Sequence, residues 1–286
     1  MTKKLLRWRL LTFHRAPQDG SDTDSYCYHE DAGLLICDGI IKDSGPFDSI
    51  LAKAPDVSVT DHRPYLMMAG FIDTHIHFPQ VQVIASWGSQ LLDWLNNYTF
   101  PEETRFACES HSERMAQAFF DQLIAHGTTS AVAYCSVHKT SADAFFSEAT
   151  RRNMRMLGGK VWRDRDAPAE LRDTPQEGYD ETKALISEWH GKGRNGYVIS
   201  PRFAITSTPE QMQMAMALAN EHPDCHIQTH LSENKDEIAF TKALYPQAQD
   251  YLDVYQSYGL LRNNTLLGHA IHLEPREIDA LADTGA

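Results

Sequence analysis

The fold is decided by one stretch, Ala69-Gly70-Phe71-Ile72-Asp73-Thr74-His75-Ile76-His77-Phe78-Pro79-Gln80, in which an apolar run ends in two histidines one residue apart. Side chains on a β-strand alternate between its two faces, so His75 and His77 leave one face and Ile76 leaves the other. One cation can therefore contact both imidazoles. Positions 66 to 72 are nearly all apolar, which predicts a strand buried on both faces in a parallel sheet.

The composition limits the class of protein. The 26 lysines and arginines against 39 aspartates and glutamates give a net charge of −13, which disfavours binding to the phosphates of nucleic acids. No window approaches the ~20 apolar residues of a membrane helix, and the start does not resemble a signal peptide. The five cysteines never form a C-x-x-C pair, as expected of reduced thiols. We therefore expect a cytoplasmic protein that binds neither nucleic acid nor membrane.

The pattern of predicted elements divides the chain into two parts. Residues 1–65 contain short β-prone runs, and Asp38-Gly39 is a typical hairpin turn. In residues 66–286, strand patterns alternate with helical patterns, and six strand–helix units can be counted from the histidine strand onward. Such alternation predicts an α/β fold with parallel strands, of which eight units close into a barrel.

Further candidate functional residues follow later strands. His230 ends the fifth predicted strand with Glu233 just beyond it, and His269 ends the sixth. The C-terminal ends of the strands are where the active sites of such barrels assemble. His226 and His272 compete with them. His226 shares the inward face with His230 but lies one layer deeper, and we interpret it as a core histidine.

The histidine stretch resembles the first-strand signature of the amidohydrolase superfamily of metal-dependent hydrolases and deaminases. The resemblance implies a (β/α)8 TIM barrel, preceded by residues 1–65 as part of a small β-sandwich. It also implies zinc ligands on strands one and five, namely His75, His77 and His230. Two-metal members carry a lysine on the fourth strand, whereas Lys160 ends the third predicted strand here and the fourth, 197–203, has no lysine. One Zn²⁺ per complete chain is therefore favoured.

Four motifs that together span most of the chain narrow the resemblance. They are His75-Ile76-His77-Phe78-Pro79-Gln80, Leu92-Asp93-Trp94-Leu95-Asn96-Asn97-Tyr98-Thr99-Phe100-Pro101, Ser200-Pro201-Arg202-Phe203 and Thr229-His230-Leu231-Ser232-Glu233-Asn234. They look like those of the guanine deaminases, which hydrolyse guanine to xanthine and ammonia. This resemblance implies that Glu233 moves protons and that His269 orients the attacking hydroxide. It further implies a homodimer and a purine site formed by Gln80, Trp87, Arg202 and Phe203.

These residue types suit a purine on independent grounds. Guanine is planar, uncharged and polar at every edge, so its site needs fixed amide and guanidinium donors and an aromatic face. Gln80 and Arg202 supply the donors, and Phe203 supplies the face. Zinc held by imidazoles keeps a position open for water, whose pKa it lowers to about 7.

One residue of the superfamily pattern has no counterpart. The pattern places a metal-binding aspartate at the end of the eighth strand, whereas this sequence reaches Ala286 after six units. We therefore expect a C-terminally incomplete barrel, and we do not expect full activity from these 286 residues alone.

Alternative functions remain open. Another amidohydrolase, acting on a triazine, cytosine or an oxidised purine, would share the metal ligands and differ at Gln80, Arg202 and Phe203. A noncatalytic protein on the same fold would account for the missing aspartate, but the retained ligands and Glu233 argue against it. A zinc deaminase of the cytidine type would require a Pro-Cys-x-x-Cys motif, which the sequence lacks.

Overall fold

The structure, a computed structural model, describes residues 2–88 and 90–286. It consists of two compact units, divided in the sequence between Gly70 and Phe71. The boundary follows residue 70 rather than the expected residue 65, because Leu66 and Met67 still belong to the N-terminal sheet. The apolar run from 66 to 72 is therefore shared by two strands and does not form the single strand that we predicted.

The N-terminal unit is a four-stranded sheet with one short helix. Its elements are β1 (Lys3–Phe13), β2 (Tyr26–Cys37), β3 (Ile40–Pro46), α1 (Phe47–Lys53) and β4 (Val59–Met67). The strand order is β3-β2-β1-β4, and the β1–β4 pair alone among these pairs is parallel. Asp38 and Gly39 have φ of 50° and 82°, as a tight hairpin turn requires. Leu5, Phe47 and Ile50 form the core of this unit.

The second unit contains a parallel sheet, which in the described residues has seven strands. They are β5 (Phe71–His77), β6 (Thr128–Tyr134), β7 (Arg155–Gly159), β8 (Val161–Trp162), β9 (Gly196–Pro201), β10 (His226–Leu231) and β11 (Thr265–His269). The order is β5-β6-β7-β9-β10-β11, and the short β8 pairs with β9. Since β7 and β8 are the third predicted strand interrupted at Lys160, the count of six strands is confirmed.

Helices connect the strands of the parallel sheet, except that Lys160 alone lies between β7 and β8. They are α2 (Leu91–Trp94), α3 (Phe100–Thr104), α4 (Glu109–Ala125), α5 (Lys139–Arg152), α6 (Pro175–Trp189), α7 (Pro209–Glu221), α8 (Lys235–Leu244), α9 (Tyr251–Ser257) and α10 (Pro275–Thr284). Helices α6 and α8, for example, begin at capping boxes: the side chains of Thr174 and Asn234 accept hydrogen bonds from backbone N–H groups of the first turn, and a glutamate accepts from the backbone N–H of the capping residue. Within the two described ranges, no helix is long and apolar enough to cross a membrane.

The main core of the second unit lies between these helices and the sheet. Buried aromatic side chains of α4 and α5, such as Phe119 and Phe145, pack there against strand residues such as Ile199. A smaller apolar cluster, which includes Phe100 and Phe203, lies apart from it. The strands of the sheet are thus packed against a buried apolar core.

Strand β5 is less buried than predicted. In the described sheet it pairs with β6 alone, and Phe71 and Ile72 expose 54% and 71% of their surfaces. A strand at the end of a sheet has one unpaired side, whereas every residue of the central strand β9 is buried. The burial of both faces that we predicted for the histidine strand is therefore wrong, since its residues are exposed or half-buried and none is fully buried.

Candidate active site

Four histidines come together at the C-terminal ends of three strands. His75 and His77 lie at the end of β5, His230 lies near the end of β10, and His269 ends β11. The ring centroid of His75 is 5.3 Å from that of His77, 4.8 Å from that of His230 and 4.9 Å from that of His269. Both imidazoles of β5 thus face one cluster, as the alternation of side chains along a strand predicts.

The orientation of the His230 ring is defined by a hydrogen bond to the backbone. Nδ1 of His230 donates to the carbonyl oxygen of Arg202 at 2.7 Å, so Nε2 carries the lone pair. That Nε2 lies 3.0 Å from Nε2 of His77, and Nδ1 of His77 is buried without a hydrogen-bond partner in the described residues. Tetrahedral Zn–N bonds of 2.0–2.1 Å would place two ligand nitrogens about 3.3 Å apart. The pair of Nε2 atoms therefore fits a shared cation.

The group of side chains that can hold an ion differs in one member from the predicted set. Ligand atoms of His75, His230 and His269 all lie within 4.8 Å of one another. We predicted His77 as the third ligand, and it approaches His230 instead of completing this triplet. The cluster thus contains four imidazoles, and the His269 ring lies about as close to the His75 ring as the ring of the predicted ligand His230 does.

Burial favours the neutral form of these imidazoles. It lowers the pKa of His75 to about 4, helped by the charges of His269 and Arg202. Burial, reinforced by Arg202, also holds the pKa values of His77 and His230 well below the ordinary value. The pKa of His269 is lowered by burial as well. Metals bind neutral imidazole, so the cluster can accept a cation at neutral pH without first losing protons.

A carboxyl group stands beside the cluster. Oε2 of Glu233 lies 3.3 Å from Nε2 of His269, and burial raises the pKa of Glu233 while the charge of Arg202 opposes that rise. The backbone there is held by the buried Glu237, whose Oε2 accepts from the N–H groups of Glu233 at 2.8 Å and Asn234 at 3.0 Å. A raised pKa makes a carboxyl group a better proton donor than an ordinary glutamate, as general acid–base catalysis requires.

A cavity of about 230 Å³ opens onto the cluster. Its walls are formed by His75, His77, Gln80, Leu91, Trp94, Leu95, Arg202, Phe203, His230, Glu233 and His269. Predicted metal-binding, proton-transferring and purine-binding residues therefore share one cavity. Its walls combine amide and guanidinium donors with apolar and aromatic faces, which is typical of sites for small planar ligands.

Trp87 is the exception among the predicted site residues. The structure places it outside the walls of the cavity, with 78% of its surface exposed. The indole that lines the cavity is that of Trp94 on α2, and its Nε1 donates to the carbonyl oxygen of Ser86 at 3.1 Å. Both tryptophans lie in the segment between β5 and α3, and the path of that segment brings Trp94 rather than Trp87 to the cavity.

The residues that competed for functional roles have structural surroundings. Lys160 is fully buried, and its Nζ donates to the carboxylates of Asp173 and Glu181. His226 lies at the half-buried start of β10, where its Nδ1 is 3.1 Å from a backbone carbonyl oxygen, and His272 is exposed. None of these three side chains contributes to the cavity at the histidine cluster as the structure describes it.

A second group of possible metal ligands lies near the end of α6. It consists of His190, Asp224 and Cys225. Nδ1 of His190 accepts from the N–H of Tyr197 at 3.0 Å, and its Nε2 lies 3.1 Å from Oδ2 of Asp224. Both ring nitrogens of His190 therefore have protein partners where α6 ends, and we assign this histidine a structural role.

Some residues of the site were not predicted. Leu91, Trp94 and Leu95 line the cavity, and Glu237 supports the loop that carries Glu233. Asn234-Lys235-Asp236-Glu237 matches a capping box, and this signal could have identified Glu237. Trp94 and Leu95 belong to the motif at residues 92–101, which could have identified them, whereas Leu91 carries no signal beyond its apolar character.

Comparisons with known proteins agree with this geometry. The model of the Amidohydrolase family matches residues 66–286. A guanine deaminase of Escherichia coli (strain K12) is 47% identical over 256 residues, which cover 89% of this chain and 58% of that relative. The crystal structure of guanine deaminase from Bradyrhizobium japonicum has a TM-score of 0.97 and 37% identity, covering 100% of this chain and 62% of that one.

A third comparison concerns a structure with a ligand. Guanine deaminase from C. acetobutylicum with bound guanine in the active site has a TM-score of 0.90 and 27% identity, covering 99% of this chain and 66% of that chain. The present chain thus spans less than two thirds of the length of these relatives. The family match includes all seven strands of the parallel sheet and every residue of the histidine cluster. The chain belongs to the amidohydrolase family.

Proposed function

We propose that this chain carries the active site of a zinc-dependent guanine deaminase, which hydrolyses guanine to xanthine and ammonia. The observation that carries the proposal is the shared cavity, which is lined by the imidazoles of the cluster, by Glu233 and by the polar and aromatic residues suited to a purine. The 47% identity to a guanine deaminase over most of the chain supports it. One zinc per complete chain, a homodimer and a cytoplasmic location are part of the proposal.

The metal would be held by His75, His77 and His230. Burial lowers the pKa values of all three imidazoles and so favours their neutral form, and Nε2 of His77 lies 3.0 Å from Nε2 of His230. When bound, zinc supplies a Lewis acid that lowers the pKa of water to about 7. His269 lies against both His75 and Glu233, so it can orient the water and stabilise negative charge that develops on its oxygen.

The purine would be held by other groups that line the same cavity. The Gln80 amide and the Arg202 guanidinium offer hydrogen bonds in the ring plane, and Phe203 and Trp94 offer apolar faces. Arg202 is only 4% exposed, so its hydrogen bonds to a ligand would form away from bulk water. A volume of about 230 Å³ suits a bicyclic base better than a nucleoside or a larger ligand.

Glu233 would move the protons of the reaction. Water adds to the ring carbon that bears the amino group, and Glu233 takes a proton from it and passes it to the neighbouring ring nitrogen. Glu233 then takes the remaining proton of the added hydroxyl group and gives it to the amino nitrogen, the carbon–nitrogen bond breaks to release ammonia, and the oxygen stays on the carbon as a carbonyl. The raised pKa of Glu233 suits this alternation between proton donor and acceptor.

Steady-state assays of the zinc-loaded protein, expressed from its complete reading frame, test the proposal. We expect xanthine and ammonia to form from guanine in equal amounts. A triazine, cytosine and an oxidised purine serve as the comparison panel. A higher kcat/KM on one of these than on guanine would contradict the assigned substrate, and turnover of none of them would contradict an enzymatic role.

A further inference from the structure

A carboxylate behind the cavity joins two buried arginines. Glu103 on α3 is fully buried. Its Oε1 accepts from Nη1 of Arg202 at 2.8 Å, and its Oε2 accepts from Nη2 of Arg163. Arg163 is also fully buried. Buried charges persist in folded proteins when they are paired in this way.

Arg202 connects this triad to the cavity. Arg202 lines the cavity wall, whereas Glu103, whose carboxylate accepts from it, is fully buried and does not line the cavity. Glu103 accepts a hydrogen bond from one of the five N–H groups of the guanidinium. Because the guanidinium is planar and rigid, this bond limits the directions in which the remaining N–H groups can point. The carbonyl oxygen of Arg202 meanwhile accepts from His230, which anchors the backbone of the same residue.

The charges of the triad favour an ionised Glu103. Burial alone would raise its pKa, but the guanidinium groups of Arg163 and Arg202 outweigh burial and lower it. Nε and Nη1 of Arg163 have no hydrogen-bond partner in the described part of the chain. Loss of the Glu103 charge would therefore affect both arginines, one at the ligand wall and one in the interior.

We propose that Glu103 is a positioning residue for substrate recognition, which fixes the guanidinium of Arg202 so that it meets the polar edge of the purine. This inference rests on the proposed function, because it assigns Arg202 to the substrate. Glu103 does not line the cavity, and its position in the sequence does not identify it as a site residue. Its effect would pass through Arg202 and not through the metal cluster.

The test compares Glu103→Gln with Glu102→Gln in the zinc-loaded protein. Glu102 is the neighbouring carboxylate, also buried, and it pairs with His111 and Arg105 rather than with Arg202. We expect Glu103→Gln to raise KM for guanine about tenfold, to change kcat less than threefold and to leave the zinc content unchanged, because weaker ground-state positioning appears in KM. Glu102→Gln should leave KM within twofold of the wild type. Equal KM values in wild type and Glu103→Gln would overturn the inference.

A second variant separates positioning from stability. Glu103→Leu combined with Arg163→Met removes both charges of the interior pair, a change that buried pairs often tolerate. If Glu103 fixes Arg202, this folded double variant keeps the high KM, and Glu103→Asp restores part of the affinity. If the double variant regains the wild-type KM, Glu103 only neutralises Arg163 and the inference fails. A wild-type protein without turnover on guanine would overturn the proposed function together with this inference. If the wild type is active, the KM values of the variants test the role of Glu103 separately from the proposed function.

Discussion

The imidazole of His230 is tied to the backbone of Arg202, because Nδ1–H of His230 donates to that carbonyl oxygen at 2.7 Å. The backbone N–H of His230 donates to the same oxygen at 3.0 Å. A second-sphere acceptor of this kind fixes which ring nitrogen faces a metal. The residue that holds the proposed metal ligand is thus the residue whose side chain faces the proposed substrate.

The first prediction concerns the metal. His75→Ala combined with His77→Ala removes two of the predicted ligands, so we expect the purified protein to lose its zinc, from about one per chain to nearly none. His226→Ala is the control, since that imidazole contacts a backbone carbonyl outside the cluster. Elemental analysis measures the content. Two zinc ions per wild-type chain, or undiminished zinc in the double variant, would contradict the predicted ligand set.

The second prediction separates chemistry from binding. Glu233→Gln keeps the shape of the side chain but cannot exchange the proton, so kcat on guanine should fall by something like 10²–10⁴-fold while zinc and guanine still bind. Arg202→Ala should mainly weaken guanine binding, because it removes in-plane donors. Rapid-quench turnover and calorimetric binding measure the two quantities. If the two variants exchanged effects, the roles assigned to these residues would be reversed.

Much of the site could be predicted because it follows local rules. Alternation along a strand put His75 and His77 on one face, and the strand-end rule put His230 and His269 beside them. The structure keeps all four within one cluster. These rules hold because strand geometry and parallel pairing leave few alternatives.

Other features depended on contacts that the sequence does not encode locally. Glu103 and Arg202 are 99 residues apart, and no short motif joins them. Trp87 and Trp94 are only seven residues apart, yet the first is exposed and the second lines the cavity. The choice between them is made by the loop path and by packing, which are tertiary effects.

The third prediction is a pH dependence of the zinc-free protein. The pKa of His75 is about 4 in the folded state and about 6.5 in an unfolded chain. Between these values the unfolded state binds a proton that the folded state does not, so the free energy of unfolding falls as the pH falls from about 6.5 to 4. One such histidine contributes at most about 1.4 kcal/mol per pH unit.

Carboxylates also titrate at low pH, so the informative quantity is a difference between two variants. We expect His75→Gln to show a shallower loss of stability between about pH 6.5 and 4.5 than the wild type. Urea unfolding at a series of pH values, with a chelator present, measures this. Parallel stability curves for the two proteins would mean that the imidazole is not kept neutral by burial.

The last prediction concerns the close approach of β5 and β11 at the histidine cluster. A Cβ atom at position 268 would lie 2.3 Å from Cε1 and 2.7 Å from Nδ1 of His75, far inside any van der Waals contact, so the imidazole can occupy its place only over a glycine. Gly268→Ala should displace that ring and weaken zinc binding about 10- to 100-fold, the range typical of lost support for a ligand. Gly20→Ala is the control, because a Cβ there meets nothing within 4 Å. Competition with a chelator gives the zinc affinity, and thermal unfolding shows whether the variant is folded. A Gly268→Ala protein with wild-type zinc affinity would mean that His75 does not hold the metal from the position seen in the structure.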